Sequence, residues 1–208
     1  MAFHVVALNA LLKNYDENII KKEISKFQCN LNPDVSYFIA TKAIEFEKVG
    51  MARTTLVYVP FKGEDVLAGY FSISNKSLSI SKHNWSKISK SVRRKLLPMG
   101  YKTEQDNYNL QSILLGQFAK NDCYRQQKLI TGNELMSIAN EKIKVAWHVS
   151  GGNLLYLEAE NEPHIRDFYI NNGFSQLFIK EKVNDKKPNR PYVTKNGLQL
   201  YIKKLSDL

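Results

Sequence analysis

The stretch from Thr131 to Phe174 constrains the fold more than any other part of this chain. Thr131-Gly132-Asn133-Glu134 has the capping-box pattern, in which a threonine side chain and a glutamate three residues on satisfy free backbone amides reciprocally. Behind it Leu135, Ile138, Ala139, Ile143 and Ala146 recur at helical spacing, which predicts a helix over Thr131–Val149 stopped by Gly151-Gly152. Leu154–Ala159 reads as a short strand, apolar enough to be central. Pro163 opens a second helix that runs to Asn172, and Gly173 ends it. Helix, buried strand, helix and strand in succession require a mixed sheet with helices packed on it.

The first half adds compatible elements. Phe3–Leu8 alternates weakly as a first strand, the rest of the N-terminal stretch reads as loop, and Glu17–Ser25 as a short helix. Asn32-Pro33-Asp34 is a helix start, with Val35, Phe38, Ile39, Ala43 and Phe46 at helical spacing up to Gly50. Arg53–Val59 and Val66–Ser74 form a hairpin around Phe61–Asp65. A basic insertion follows, helical around Lys87–Leu97, and then a long strand over Tyr108–Lys120. Phe174–Lys180 and Gly197–Lys203 close the sheet around a polar loop, Glu181–Lys195. The expected class is α/β (α+β): a central mixed, mostly antiparallel sheet flanked by helices on both faces. With 208 residues and no repeat or linker, one domain over 1–208 is the simplest organisation, its insertion at about 76–107.

Composition narrows the partners. No apolar run approaches the roughly 20 residues that cross a bilayer, and the N-terminus lacks a basic lead-in and a cleavage site, so a cytoplasmic protein without membrane partners is expected. Cys29 and Cys123 fit no metal spacing, and His4, His83, His148 and His164 are scattered, so no metal is expected. The net charge of +10 points to polyanions. From Lys76 to Lys102 the chain carries Lys76, Lys82, Lys87, Lys90, Arg93, Arg94, Lys95 and Lys102 and no acid. A solvated insertion and a nucleic-acid-contacting face both fit that run.

Two places carry candidate chemistry. After Ala119 a strand feeds the loop Asn121–Ile130, which ends at a capped helix whose free amides and dipole suit a phosphate, with Arg125 and Lys128 adding charge. On the later helix, Tyr169 lies beside Ile165 and Phe168; such a tyrosine is either core or a proton donor to a departing group.

Phe168-Tyr169-Ile170-Asn171-Asn172-Gly173-Phe174, preceded by a short strand and an acidic turn, resembles motif B of the GNAT acetyltransferase superfamily. Leu114–Ala139 stands where that family places its acetyl-CoA-binding motif. Phe27–Asn32, Glu45–Lys48 and the hairpin Ala52–Val57 with Leu67–Phe71 are similar to the branch that includes tRNA-acetylating toxins. The resemblance runs from about Phe27 to Phe178, plus a final strand. It implies transfer of an acetyl group from acetyl-CoA to a primary amine by direct attack. The acceptor is left open between small amines, peptide amines and aminoacyl-tRNA, and so are tRNA, an antitoxin and a second copy of the chain as partners.

By the same resemblance Phe118, Ala119 and Lys120 hold the acetyl carbonyl and pantetheine, and Tyr169 protonates the leaving thiolate. Asn161 and Phe168 border the cofactor. Read from the strand itself, Glu158 and Glu160 share one face by period-two alternation, either to take the amine's proton through water or as a solvated acidic edge. The family's pyrophosphate loop reads Q/R-x-x-G-x-G/A. Started at Arg125, this chain puts Lys128 and Ile130 where small residues are expected; started at Gln127, it meets Ile130 and then recovers Gly132. The capping box favours the second register, with Gln127, Lys128, Leu129, Ile130, Thr131 and Gly132 around the phosphates. The irregular loop also fits an alternative, a catalytically degenerate relative that binds nucleic acid or a protein through its basic face.

Overall fold

The computed structural model describes residues 3–180 and 189–208. Strand β1 (His4–Ala7) runs directly into helix α1 (Leu8–Asn14), a segment expected to be loop. Its N-cap, Ala7, makes no side-chain bond, so the helix is specified by tertiary contact: Leu8 is wholly buried against the core. Helix α2 (Glu17–Ile24) starts on the Asp16 carboxylate, which accepts from the Asn18 amide at 2.8 Å. Asn32 caps the next helix as expected, but that helix is broken into α3 (Pro33–Tyr37), a π turn (Phe38–Lys42) and α4 (Ala43–Lys48). The extra residue in the π turn advances the buried face, so Ile44 and Glu47 turn inward where strict helical spacing pointed to Phe46. Glu47 is ion-paired to Arg53 at 2.8 Å and accepts from the Thr54 amide at 2.8 Å.

Strands β2 (Arg53–Phe61) and β3 (Glu64–Ser74) form the hairpin. Its tip, Lys62-Gly63, has both φ angles positive (53° and 87°), the turn that matches strand twist. The basic insertion is richer than one helix. It holds β4 (Leu78–Ile80), α5 (Lys82–Lys87), α6 (Lys90–Leu96), β5 (Gly100–Lys102) and β6 (Tyr108–Leu110), its strands making a small sheet in the order β4-β6-β5. The expected long strand is therefore two, β6 and then β7 (Ser112–Lys120). Next come α7 (Gly132–Ser150), β8 (Leu154–Ala159) and α8 (Pro163–Asn171), close to their expected bounds. The strand expected over Phe174–Lys180 divides into β9 (Ser175–Gln176) and β10 (Phe178–Lys180); β10 pairs with β11 (Asn189–Pro191), and β12 (Gln199–Lys204) ends the chain's sheet. Most of the polar loop Glu181–Lys195, its residues 181–188, lies outside the described residues.

The chain divides into two compact units, residues 1–74 with 115–142, and 75–114 with 143–208. In the first, the strand order is β1-β2-β3-β7, and β1, β2 and β3 pair antiparallel. Its core gathers Leu8, Ile24, Ile39, Leu56 and Tyr70. In the second, the first three residues of β7 pair in parallel with β8, and β12 pairs antiparallel with both β8 and β9. That makes β8 central, as its apolar sequence demands. The second core gathers Ile80, Leu110, Leu154, Tyr156 and Leu200. The class is thus mixed α/β, a large mixed sheet flanked by helices.

One glycine in the first unit tests the packing. A Cβ on Gly69 would stand 3.1 Å from the Ala119 carbonyl oxygen and 3.2 Å from a Leu135 methyl, tighter than an ordinary carbon contact. Gly69→Ala is expected to lower stability by about 1–3 kcal/mol in denaturant titration. An unshifted midpoint would mean β3, β7 and α7 have slack there.

Candidate functional site

In the first unit, β7 ends at Lys120 and the chain turns through Asn121 into the short 3-10 turn Asp122–Tyr124. Asn121 is buried, and its side chain fixes the turn: Nδ2 donates to the Leu67 carbonyl at 2.8 Å, and Oδ1 accepts from the Cys123 and Gln28 amides at 3.1 and 3.2 Å. Its own amide donates to the Ala68 carbonyl at 2.8 Å. Ala68 is the bulged residue of β3, since Gly69 pairs with Val57 and Leu67 with Tyr58. Asp122 adds a second tie, accepting from the Asn30 amide at 2.7 Å. None of this is announced by composition, although an Asn just after a strand and before Asp122 is an ordinary turn-cap signal.

The loop that follows encloses a cavity of about 390 Å³ lined by Lys120, Arg125, Lys128, Leu129, Ile130, Thr131 and Gly132 among others, all residues expected there. Gln127 is exposed and not in the lining; Phe118 and Ala119 lie in β7 before it. Thr131 and Glu134 form the capping box as read: the Thr131 amide donates to Glu134 Oε2 at 2.8 Å, and the Glu134 amide donates to Thr131 Oγ1 at 3.1 Å. These bonds hold the Glu134 carboxyl below the usual carboxylate range. They also engage the Thr131 amide and hydroxyl. Among the described residues, the amides of Leu129, Ile130 and Gly132 have no acceptor, and these are the donors left for an anion.

The two side chains that made the loop irregular have a structural answer. Ile130 is buried and forms part of the cavity's lining. Lys128 has φ of 50°, the left-handed conformation that glycine ordinarily supplies. It stands at the glycine position of the register that starts at Arg125. Lys128→Gly is expected to raise stability by up to about 1 kcal/mol in thermal melts, since it relieves that conformation. A loss larger than this would mean that the lysine side chain holds the loop.

In the second unit, α8 carries Tyr169. Its ring is half-buried against Phe168, Phe174 and Tyr201, with centroids 5.2, 5.7 and 5.6 Å away. Burial, with Tyr201 adding, pushes the Tyr169 phenol above its ordinary range, so it keeps its proton at neutral pH. Among the described residues its hydroxyl has no hydrogen-bond partner. Lys203, buried on β12, donates to the Asn172 carbonyl at 3.1 Å and lies 5.7 Å over the Phe174 ring, fixing the helix end that follows Tyr169. Burial lowers the Lys203 pKa.

The carboxylates differ. Glu158 is in β8 and accepts from Thr194 Oγ1 at 3.0 Å, while its charge adds to the burial that raises the Tyr156 phenol. The strand ends at Ala159, so period-two alternation does not place Glu160, which is half-buried in the turn. Asn161 is exposed in that turn. Cys123 is exposed with its thiol 3.6 Å from the Lys26 carbonyl. Trp85 is a packing residue, stacked on Tyr108 at 4.1 Å.

No family model matches the sequence, and no curated protein matches it. Solved structures do. AtaT complexed with acetyl-methionyl-tRNAfMet aligns at 17% identity with a TM-score of 0.63, over 99% of this chain and 96% of that one. A tyrosine-to-phenylalanine variant of KacT aligns at 16% and 0.62, over 100% and 97%. AtaTR bound with AcCoA aligns at 17% and 0.57, over 99% and 94%. These are toxins of GNAT fold, and the likeness spans the whole chain. What it shows is architecture: this chain has the GNAT fold.

Proposed function

We propose that this chain is an acetyl-CoA-dependent N-acetyltransferase whose acceptor is the amino group of an aminoacyl-tRNA, both units serving one activity in the cytoplasm. The observation that carries the reading is the loop of the first unit, where three acceptorless amides and the cations of Lys120, Arg125 and Lys128 surround one cavity. A pyrophosphate fits that donor set, and Lys128 gives the loop the backbone shape that the family's glycine gives. The neighbours add the substrate class, since one is complexed with acetyl-CoA and another with an acetylated aminoacyl-tRNA.

Acetyl-CoA supplies an activated acetyl group and a sulfur leaving group. Tyr169 holds a proton for that sulfur, a role its raised pKa permits because the phenol is charged only far above neutral pH. Glu158 or Glu160 accepts the proton the amine loses, through water; Glu158 is the better ordered because Thr194 fixes one of its oxygens. Phe118, Ala119 and Lys120 present the strand end to the acetyl arm, and Asn161 and Phe168 border it. Of the two residues on which the degenerate alternative rested, Lys128 takes the left-handed backbone that a glycine would take, which weighs for the enzyme. An antitoxin partner follows from the neighbours, one of which is bound to the C-terminus of the antitoxin AtaR.

Isothermal titration with acetyl-CoA, followed by acetyl-transfer assays on charged tRNA against free amines, tests the proposal. Micromolar binding and transfer confined to charged tRNA are expected. No binding at millimolar ligand would sink it.

A further inference from the structure

We propose that the insertion in the second unit is a nucleic-acid grip, in which helix α6 and the hydroxyl- and amide-bearing cavity at its start hold the phosphodiester backbone of the RNA substrate. The choice of RNA rests on the transferase reading above; the charge argument does not.

Helix α6 divides cleanly by side-chain direction. Val92 and Leu96 point into the second core, and Leu96 is buried there with Ile88 and Ile80. Lys90, Arg94 and Lys95 are exposed on the remaining arc, with Arg93 at its margin. The apolar side fixes the helix, so its cations are displayed on a rigid support.

Not every cation of the run is available. Lys82 and Lys102 both pair with Asp106, which sits in a left-handed turn (φ 62°) and whose carboxyl is thereby held down to about 2. Among the described residues, no acidic side chain pairs with Lys90, Arg93, Arg94 or Lys95. The Nε of Arg93 is buried and has no acceptor among the described residues. One acid thus offsets part of the charge at the edge of the insertion, and α6 keeps its charge.

Beside this helix lies a cavity of about 420 Å³. Ser89 and Ser91 line it from the start of α6, and Ser175, Gln176, Lys180 and Asn189 from the β9–β11 region. Among the described residues, its lining contains no Asp or Glu. Hydroxyls, amides and a lysine suit sugar and phosphate oxygens, and a run of unpaired cations beside them suits successive phosphates. Val92, Leu177, Phe178 and Ile202 complete the lining, and an acidic protein segment is the other occupant that the test weighs. Trp85 and Tyr108 are stacked on each other in the core, so base stacking on them is not part of the grip.

The test measures binding of an RNA hairpin duplex to the full chain by fluorescence anisotropy across a salt series, without acetyl-CoA. The variant is Lys90→Gln/Arg94→Gln/Lys95→Gln; the charge-matched control is Lys13→Gln/Lys21→Gln/Lys22→Gln on α1 and α2. The α6 variant should weaken binding about 10-fold or more near 100 mM salt and flatten the log–log salt slope by about 2, with the control near wild type. Melting curves and acetyl-CoA affinity should match wild type for both. Equal losses in variant and control would overturn the proposal, as mere net charge. So would unchanged RNA binding, including a result in which the α6 variant loses only a polyglutamate peptide. Failure of acetyl-CoA binding would sink the transferase reading and leave this result standing.

Discussion

Tyr169→Phe is expected to lower kcat by about 10²–10⁴-fold, the range of a positioned general acid. The variant should bind acetyl-CoA with wild-type affinity, because the ring remains against Phe168, Phe174 and Tyr201 and only an oxygen is removed. Stability should change little for the same reason: the hydroxyl has no partner among the described residues, so its loss orphans nothing. This separates a proton donor from a core tyrosine. A core tyrosine whose hydroxyl was bonded inside would lose stability and keep turnover; here the reverse is expected. The pH profile gives a second check. Because burial raises the phenol above its ordinary value of 10.0, the wild-type rate should show no tyrosine-dependent decline below about pH 10. Turnover within threefold of wild type would remove Tyr169 from the mechanism.

How much of this was legible depends on whether the information is local. Asn32, Thr131 with Glu134, Pro163 and Gly173 act on neighbouring backbone groups, and each helix end they mark stands where the sequence placed it. Helix α1 has no such mark. It exists because Leu8 is buried against Ile24 and its neighbours, a contact between segments that no local pattern records. The π turn hid for a related reason: an inserted residue changes the buried face without changing composition, and it turns Glu47 inward as a buried anchor for β2. The three-residue strands of the insertion are too short for alternation to show. At the candidate site, Arg125, Lys128 and Gly132 were legible as residues of one loop before a capped helix, and they line one cavity. The left-handed backbone of Lys128 was not, because a lysine gives no sign in sequence that it takes a glycine's angle.

Asn121→Ala should cost about 2–5 kcal/mol in denaturant titration and weaken acetyl-CoA at least about 10-fold. The estimate follows from what the side chain does. It makes three hydrogen bonds from a buried position, each worth about 1 kcal/mol net, and its removal leaves the buried Leu67 carbonyl without that donor. Those bonds join the β3 bulge, the Gln28 segment and the turn that begins the phosphate loop, so the cavity loses its fixed edge as well as its stability. Asp122 still ties the turn to Asn30 and Gln28, which is why a folded but loosened protein is expected. Asn121→Asp divides the two effects. It keeps an oxygen for the Gln28 and Cys123 amides, but it faces the Leu67 carbonyl with an acceptor and adds a negative charge beside the anion site. Its acetyl-CoA affinity should therefore fall further than its stability explains, and high salt should recover part of the loss. If both variants melt with wild type and bind acetyl-CoA unchanged, the loop is held by other contacts and Asn121 is not its anchor.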